Sequence, residues 1–121
     1  MKANRPGEMI HMSYVTTTTV QDGKVTILIS VDNYSGYFFG VAIEKEMSIK
    51  EIKKHIESIL SSVNENHPAI KPLLIIGYGI EHLKELEQQF KERASFSFNP
   101  VLADEVAMPA ARELMQGLYK K

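Results

Sequence analysis

Residues 25–43, VTILISVDNYSGYFFGVAI, constrain the fold of this chain more than any other segment. β-Branched and aromatic residues of this kind favour a pleated sheet. The turn sequence of residues 33–36 divides the segment in two, and Gly36 is free to take the positive φ of a tight turn. Residues 10–20, with four consecutive threonines, precede an Asp-Gly pair that signals a hairpin. Together they predict an antiparallel meander of three strands.

The rest of the chain alternates helical and strand patterns. Ser48 and Glu51 fit a capping box that opens an amphipathic helix. Residues 73–76 form a short apolar run, typical of a strand covered on both faces, and the intervening helix predicts parallel pairing with the meander. The last elements are a helix, a strand and a helix, predicted over residues 80–94, 95–98 and 104–121. The order βββ-α-β-α-β-α predicts an α/β fold with a five-stranded mixed sheet and helices on both faces.

Composition narrows the class of protein. The 121 residues are expected to form one domain, residues 1–121, with a polar N-terminal arm over residues 1–9. The 14 basic and 15 acidic residues nearly cancel, which argues against a surface that attracts nucleic acid everywhere. No cysteine is present, so zinc ribbons and thiol catalysis are excluded. No apolar run is long enough to span a membrane, and a cytoplasmic location is expected.

Three phrases resemble, in order and spacing, the catalytic core of retroviral-type integrases and insertion-sequence transposases, which has a ribonuclease H-like fold. Residues 5–12, RPGEMIHM, are similar to the RPGE-x-x-H phrase that precedes the first catalytic aspartate of that family. Residues 31–37, VDNYSGY, are similar to vD-x-(Y/F)-S-R-Y, with Gly36 in place of the arginine. Residues 72–79 correspond to the strand end that carries S-D-N-G, with Gly79 at the motif's glycine.

The resemblance implies a site of three carboxylates that hold two Mg²⁺ ions for in-line attack on a phosphate. The family's first aspartate falls at Ser13, or at Tyr14 if the alignment is based on the hairpin. The second aspartate falls at Gly77. The glutamate falls at Glu113, with 35 residues between it and Gly77. An alignment on the closing leucine moves this position to Arg112. Glu113 is thus the single family acid that the chain retains.

These replacements predict an integrase or transposase core-like domain, related to DNA integration, that is catalytically degenerate and not an active enzyme. No metal ligands and no cofactor are expected, since Mg²⁺ would serve only an active form. The partners considered are DNA and a second copy of the chain, with no membrane. Two alternatives stay open: an interaction or dimerisation module with no nucleic-acid role, and a metal-dependent nuclease with relocated carboxylates such as Asp32, Glu81 and Glu113.

Local patterns add three expectations. Asp32 is expected to cap the turn that follows it, as aspartates in Asx turns do, rather than to bind metal. Glu113 is expected on a solvated helix face. The second helix is expected to turn Ile80, Leu83, Leu86 and Phe90 inward, and the third to turn Ala107, Ala110, Leu114 and Leu118 inward.

Overall fold

The computed structural model describes residues 5–19, 23–43 and 48–119 of the chain. The strands are β1 (Met9–Thr19), β2 (Gly23–Asp32), β3 (Phe38–Ile43), β4 (Leu73–Ile76) and β5 (Ser95–Phe98). The helices are α1 (Ile49–Asn66), α2 (Leu83–Phe90) and α3 (Pro100–Tyr119), and a 3₁₀ turn, Ile80–His82, leads into α2. The predicted order of strands and helices is confirmed.

All five strands belong to one mixed sheet, in the order β3-β2-β1-β4-β5. β1, β2 and β3 pair antiparallel, whereas β4 is parallel to both β1 and β5. Thr19 pairs with Gly23 across the predicted hairpin, whose residues 20–22 lie outside the described residues. Met12 pairs with Ile76, the last residue of β4. This register determines which residues meet where β4 ends.

Helices cover both faces of the sheet, because successive strand residues point to opposite sides. On one face, Leu28 of β2 lies in a core cluster with the apolar stripe of α1 and with Leu86 and Phe90 of α2. On the other face, Ile29 lies in a cluster with alanines of α3. Burial of these apolar surfaces is the main force that holds the helices on the sheet.

The start of α1 follows the predicted capping box. Ser48 is its N-cap, and the Ser48 hydroxyl accepts a hydrogen bond of 3.4 Å from the Glu51 amide. This bond satisfies one of the amides that the first turn of a helix leaves unpaired. The helix reaches Asn66, close to the predicted end before Pro68.

The start of α2 differs from the prediction. Gly79 has φ of 72° and leads into the 3₁₀ turn, so the α-helix begins only at Leu83. The prediction that Ile80 faces inward is wrong, since 56% of its surface is exposed. Leu86 and Phe90 are buried as predicted. Because Ile80 is in the 3₁₀ turn that follows the left-handed glycine, it does not lie on the buried face of α2.

The start of α3 also differs, and this difference bears on the site. The helix begins at Pro100, four residues before the predicted start. The Asn99 side-chain oxygen accepts a hydrogen bond of 3.1 Å from the Leu102 amide, as an N-cap does. Pro100 occupies the first helical position, where its missing N–H costs nothing.

The buried stripe of α3 is correspondingly displaced. Ala103, Ala107 and Ala111 are buried, so the prediction holds for Ala107, while Ala110 is only half-buried. The side chains of Leu114 and Leu118 lie outside the described residues. Small alanines let the helix lie close to the sheet.

Candidate functional site

The residues at the first two predicted acid positions lie side by side where β4 ends next to β1. The Gly77 amide donates a hydrogen bond of 2.9 Å to the Met12 carbonyl, which extends the β1–β4 pairing by one residue toward Ser13. A Cβ at Gly77 would lie 3.3 Å from the Cβ of Ala103 on α3. Ser13 is buried on the same, α3-covered face. The structure thus brings Ser13 and Gly77 together.

Tyr14, the other candidate for the first position, lies on the opposite face of β1, because neighbouring strand residues alternate. It is exposed, and its ring meets the ring of Tyr78 edge to face, with centroids 6.0 Å apart. Burial raises the pKa of Tyr78, whose hydroxyl has no hydrogen-bond partner. Of the two candidates, Ser13 is therefore the one beside Gly77 and α3.

The acid that contacts Ser13 is Asp104. The Ser13 hydroxyl donates a hydrogen bond of 2.5 Å to Asp104 Oδ1. Glu113 lies nine residues further along α3, about 13 Å along the helix axis, and is exposed, as is Arg112. Sequence reasoning missed Asp104 because it placed the start of α3 at this residue. The Asn-Pro pair just before Val101 was the signal for the earlier start.

A second polar contact joins β1 to α3. His11 Nδ1 donates to the carbonyl of Leu102 at 2.7 Å, which leaves Nε2 to accept from the Asn33 amide at 3.0 Å. This pattern places a ring proton on Nδ1. We call the two contacts from β1 to α3, Ser13–Asp104 and His11–Leu102, the α3 clamp. The clamp holds the first turns of α3 against the end of the parallel strands.

Asp32 has the turn-capping role expected of it. Its Oδ1 accepts from the Tyr34 amide at 3.2 Å, and its Oδ2 accepts from the Ser35 hydroxyl at 2.8 Å. The Gly7 amide donates a further bond of 3.1 Å to Oδ2. The carboxylate therefore fixes both the β2–β3 turn and the segment that leads into β1.

The carboxylates proposed as relocated ligands lie on three different elements. Asp32 ends β2, Glu81 is in the 3₁₀ turn, and Glu113 is on α3. Within residues 5–19, 23–43 and 48–119, no group of three or more His, Cys, Asp or Glu side chains could hold a metal ion. Across the same part of the chain, no helix has the length and apolarity needed to cross a membrane.

The end of the sheet that carries Ser13 and Gly77 also exposes apolar side chains. Ile80 follows Gly77 by three residues. A side chain at Gly77 would contact Pro100. The next residue, Val101, has 82% of its surface exposed. Single exposed apolar residues are common in folded proteins.

Solved integrase structures share this fold. A chain of the simian T-cell lymphotropic virus intasome, in complex with PP2A regulatory subunit B56 gamma, matches 99% of this chain with a TM-score of 0.73 and 15% identity. The HTLV-2 integrase catalytic core domain in complex with magnesium matches 84% in its trimeric form and 81% in its dimeric form, each with a TM-score of 0.60, at 18% and 19% identity.

The matched chains are longer than this one. It covers 42% of the intasome chain and 65% and 64% of the two HTLV-2 chains. No protein-family model matches the sequence, and comparison with curated proteins gives no match. At these identities the likeness establishes the fold, which is that of an integrase catalytic core, and the expected resemblance is confirmed at that level.

Proposed function

We propose that this chain is an integrase core-like domain of the ribonuclease H-like superfamily, related to DNA integration, whose metal site is degenerate. The observation that carries the proposal is the junction of β1, β4 and α3. Ser13 and Gly77 adjoin there, and Asp104 accepts a hydrogen bond from Ser13. In this proposal residues 1–121 act as one cytoplasmic domain that takes part in DNA integration without catalysing it.

The residues at this junction do not fit a pair of magnesium ions. Magnesium takes oxygen ligands in a near-octahedral shell, and paired sites share several carboxylates. Gly77 has no side chain that could bind a metal ion, and the Ser13 hydroxyl donates a hydrogen bond to Asp104. One carboxylate and one hydroxyl supply too little negative charge to hold two dications close together.

A DNA cleavage assay tests the absence of catalysis. Short DNA duplexes are incubated with the wild type, Asp104→Asn and Glu113→Gln in Mg²⁺ or Mn²⁺, and cleavage and strand transfer are measured. We expect no activity from any of the three. Robust wild-type activity that Glu113→Gln abolishes would overturn the proposal and give Glu113 its family role. Robust activity lost in Asp104→Asn would instead support a nuclease with relocated acids.

Restoring the missing acids tests whether the junction is a former metal site. The variant Ser13→Asp/Gly77→Asp adds two carboxylates beside that of Asp104, which makes three at the junction. Gly77 does not have positive φ, and an added Cβ would lie 3.3 Å from the Ala103 Cβ, which must give by a few tenths of an ångström. We expect Mg²⁺ to raise the melting temperature of this variant and to leave the wild type unchanged.

The matched control is Ser13→Asn/Gly77→Asn, which has the same added volume without the charge. An equal response of the Asp and Asn variants to Mg²⁺ would count against a former metal site. The Asp variant is purified in Mg²⁺, since three unneutralised carboxylates repel one another and weaken the fold.

DNA binding separates the leading proposal from an interaction or dimerisation module. Contacts with phosphates give an affinity that falls steeply as salt rises. We therefore expect binding of short duplexes at low salt, with a steep dependence on salt concentration. The exposed Ile80 and Val101 favour the second candidate, as does the near balance of charges. No DNA binding at low salt, together with a dimer that Val101→Asp dissociates, would establish that candidate instead.

A further inference from the structure

A cavity of about 390 Å³ opens away from the α3 clamp, between the segment before β1, the β2–β3 turn and the end of α1. Its apolar walls include Ile10 and Val63. Tyr37, which follows the β2–β3 turn and is 64% exposed, is also a lining residue. Asp32 and His67 are also among the lining residues. The cavity thus combines an acid, an aromatic ring and an aliphatic wall.

Within residues 5–19, 23–43 and 48–119, the buried carboxylate of Asp32 has no counter-charge. Only 7% of this residue is exposed, and its three hydrogen-bond donors are neutral groups of Gly7, Tyr34 and Ser35. Within the described residues, no Lys, Arg or His forms an ion pair with it. A buried charge is costly unless an opposite charge compensates it. Asp32 therefore favours a cation in the adjoining cavity.

The hydrogen bonds of Asp32 also limit what kind of cation fits. A carboxylate has about four lone-pair sites, and the three donors leave about one. One open site suits an ammonium group, which acts as a point charge with three rotatable donors. A guanidinium group gains most from two parallel bonds to one carboxylate, for which fewer sites remain.

We propose that this cavity binds a primary ammonium group on an aliphatic chain. The ammonium group donates to Asp32 and lies against the ring of Tyr37, which attracts cations through its face. The methylene groups pack against Ile10 and Val63, as lysine stems pack on apolar surfaces. The source of the group is a free alkylamine or a lysine side chain of a peptide. This inference does not depend on the integrase-related proposal.

Amide NMR shifts provide a direct test, because the Gly7 and Tyr34 amides donate to the carboxylate in question. The ¹⁵N-labelled full chain is titrated with butylammonium chloride, with N-acetyl-lysine methylamide and with butanol as the uncharged control. We expect saturable shifts of both amides with the two ammonium probes and none with butanol. Equal shifts with butanol, or shifts that never saturate, would overturn the proposal.

Variants establish the location of binding. Ser62, half-buried on α1, lines the cavity, whereas Ser58 on the same helix is exposed and does not. We expect Ser62→Phe to weaken butylammonium binding at least about tenfold, and Ser58→Phe to leave it unchanged. Tyr37→Leu, a substitution of an exposed residue, should weaken it as well and serves if Ser62→Phe does not fold.

An affinity unchanged in both Ser62→Phe and Tyr37→Leu would place the ammonium elsewhere and refute the assignment. The two ammonium probes then distinguish the sources. A lysine derivative that binds about tenfold tighter than butylammonium assigns the cavity to a peptide side chain, and equal affinities assign it to free amines. Either result supports an ammonium site.

Discussion

The buried ring of His55 makes the stability of the domain depend on pH. His55 is on α1, and its Nε2 shares a hydrogen bond of 2.8 Å with the Ser30 hydroxyl, while Nδ1 is buried with no partner. Burial lowers its pKa from the ordinary 6.5 to about 4. The folded protein therefore keeps the ring neutral under conditions in which the unfolded chain protonates it.

The size of the effect follows from that shift. Well above pH 6.5 the ring is neutral in both states and contributes no pH dependence. As pH falls from 6.5 toward 4, the unfolded chain binds a proton that the folded chain does not, and stability is lost. Each unit of pKa shift corresponds to about 1.4 kcal/mol, so His55 should remove about 2 kcal/mol between pH 7 and pH 5. The loss should approach about 3 kcal/mol below pH 4.

Urea denaturation at pH 7, 6 and 5, followed by far-ultraviolet circular dichroism, measures this loss. The test variant is His55→Leu/Ser30→Ala, which removes both polar partners and should be close to neutral at pH 7. The control is His82→Gln, which removes a histidine outside the core. The wild type and the control should lose about 2 kcal/mol more than the test variant between pH 7 and pH 5. Parallel pH profiles for all three proteins would refute the reasoning.

Three further substitutions test contacts of α3 and the turn before α2. Asp104→Ala should lower the free energy of unfolding by about 1–3 kcal/mol, because the buried Ser13 hydroxyl loses its acceptor. Glu113→Ala, on the exposed face of the same helix, should leave it unchanged, and equal losses in urea denaturation would contradict the assigned contact. Asn99→Ala should cost about 1 kcal/mol through the lost N-cap, and Asn99→Asp should restore the melting temperature. Gly79→Ala should cost about 1–2 kcal/mol in urea denaturation, because alanine is strained at a φ of 72°; an unchanged stability would exclude that strain.

The strands could be predicted from the sequence because each depends on local chemistry. Alternating β-branched residues and the turn around Gly36 specified the meander, and the four residues of β4 have the composition of a strand buried on both faces. Parallel pairing of β4 with β1 followed from the helix between them. The start of α2 could not be found in this way. The apolar periodicity of the sequence extends to Ile80, but residues 80–82 form a 3₁₀ turn after the left-handed Gly79, and the α-helix begins only at Leu83.

The candidate site was only half predictable. Motif spacing pointed to Ser13 or Tyr14 and to Gly77, and the register of β1 with β4 places Ser13 next to Gly77. The acid on α3 was missed, because its distance along the chain depends on the length of the loop that precedes the helix. That loop is a single residue, Asn99, between β5 and Pro100, so Asp104 reaches the sheet. The family's count of 35 residues from Gly77 leads instead to Glu113, nine residues further along the same helix.

The α3 clamp explains how the third helix can remain on the sheet with protein groups alone. Carboxylates gathered at one point repel each other unless cations lie between them. In this chain Ser13 donates to Asp104, and His11 donates to the carbonyl of Leu102. Both strand side chains are buried, and both are satisfied within the chain. The junction therefore has no repulsion for a cation to relieve, and the hydrophobic contacts of the α3 alanines complete the attachment.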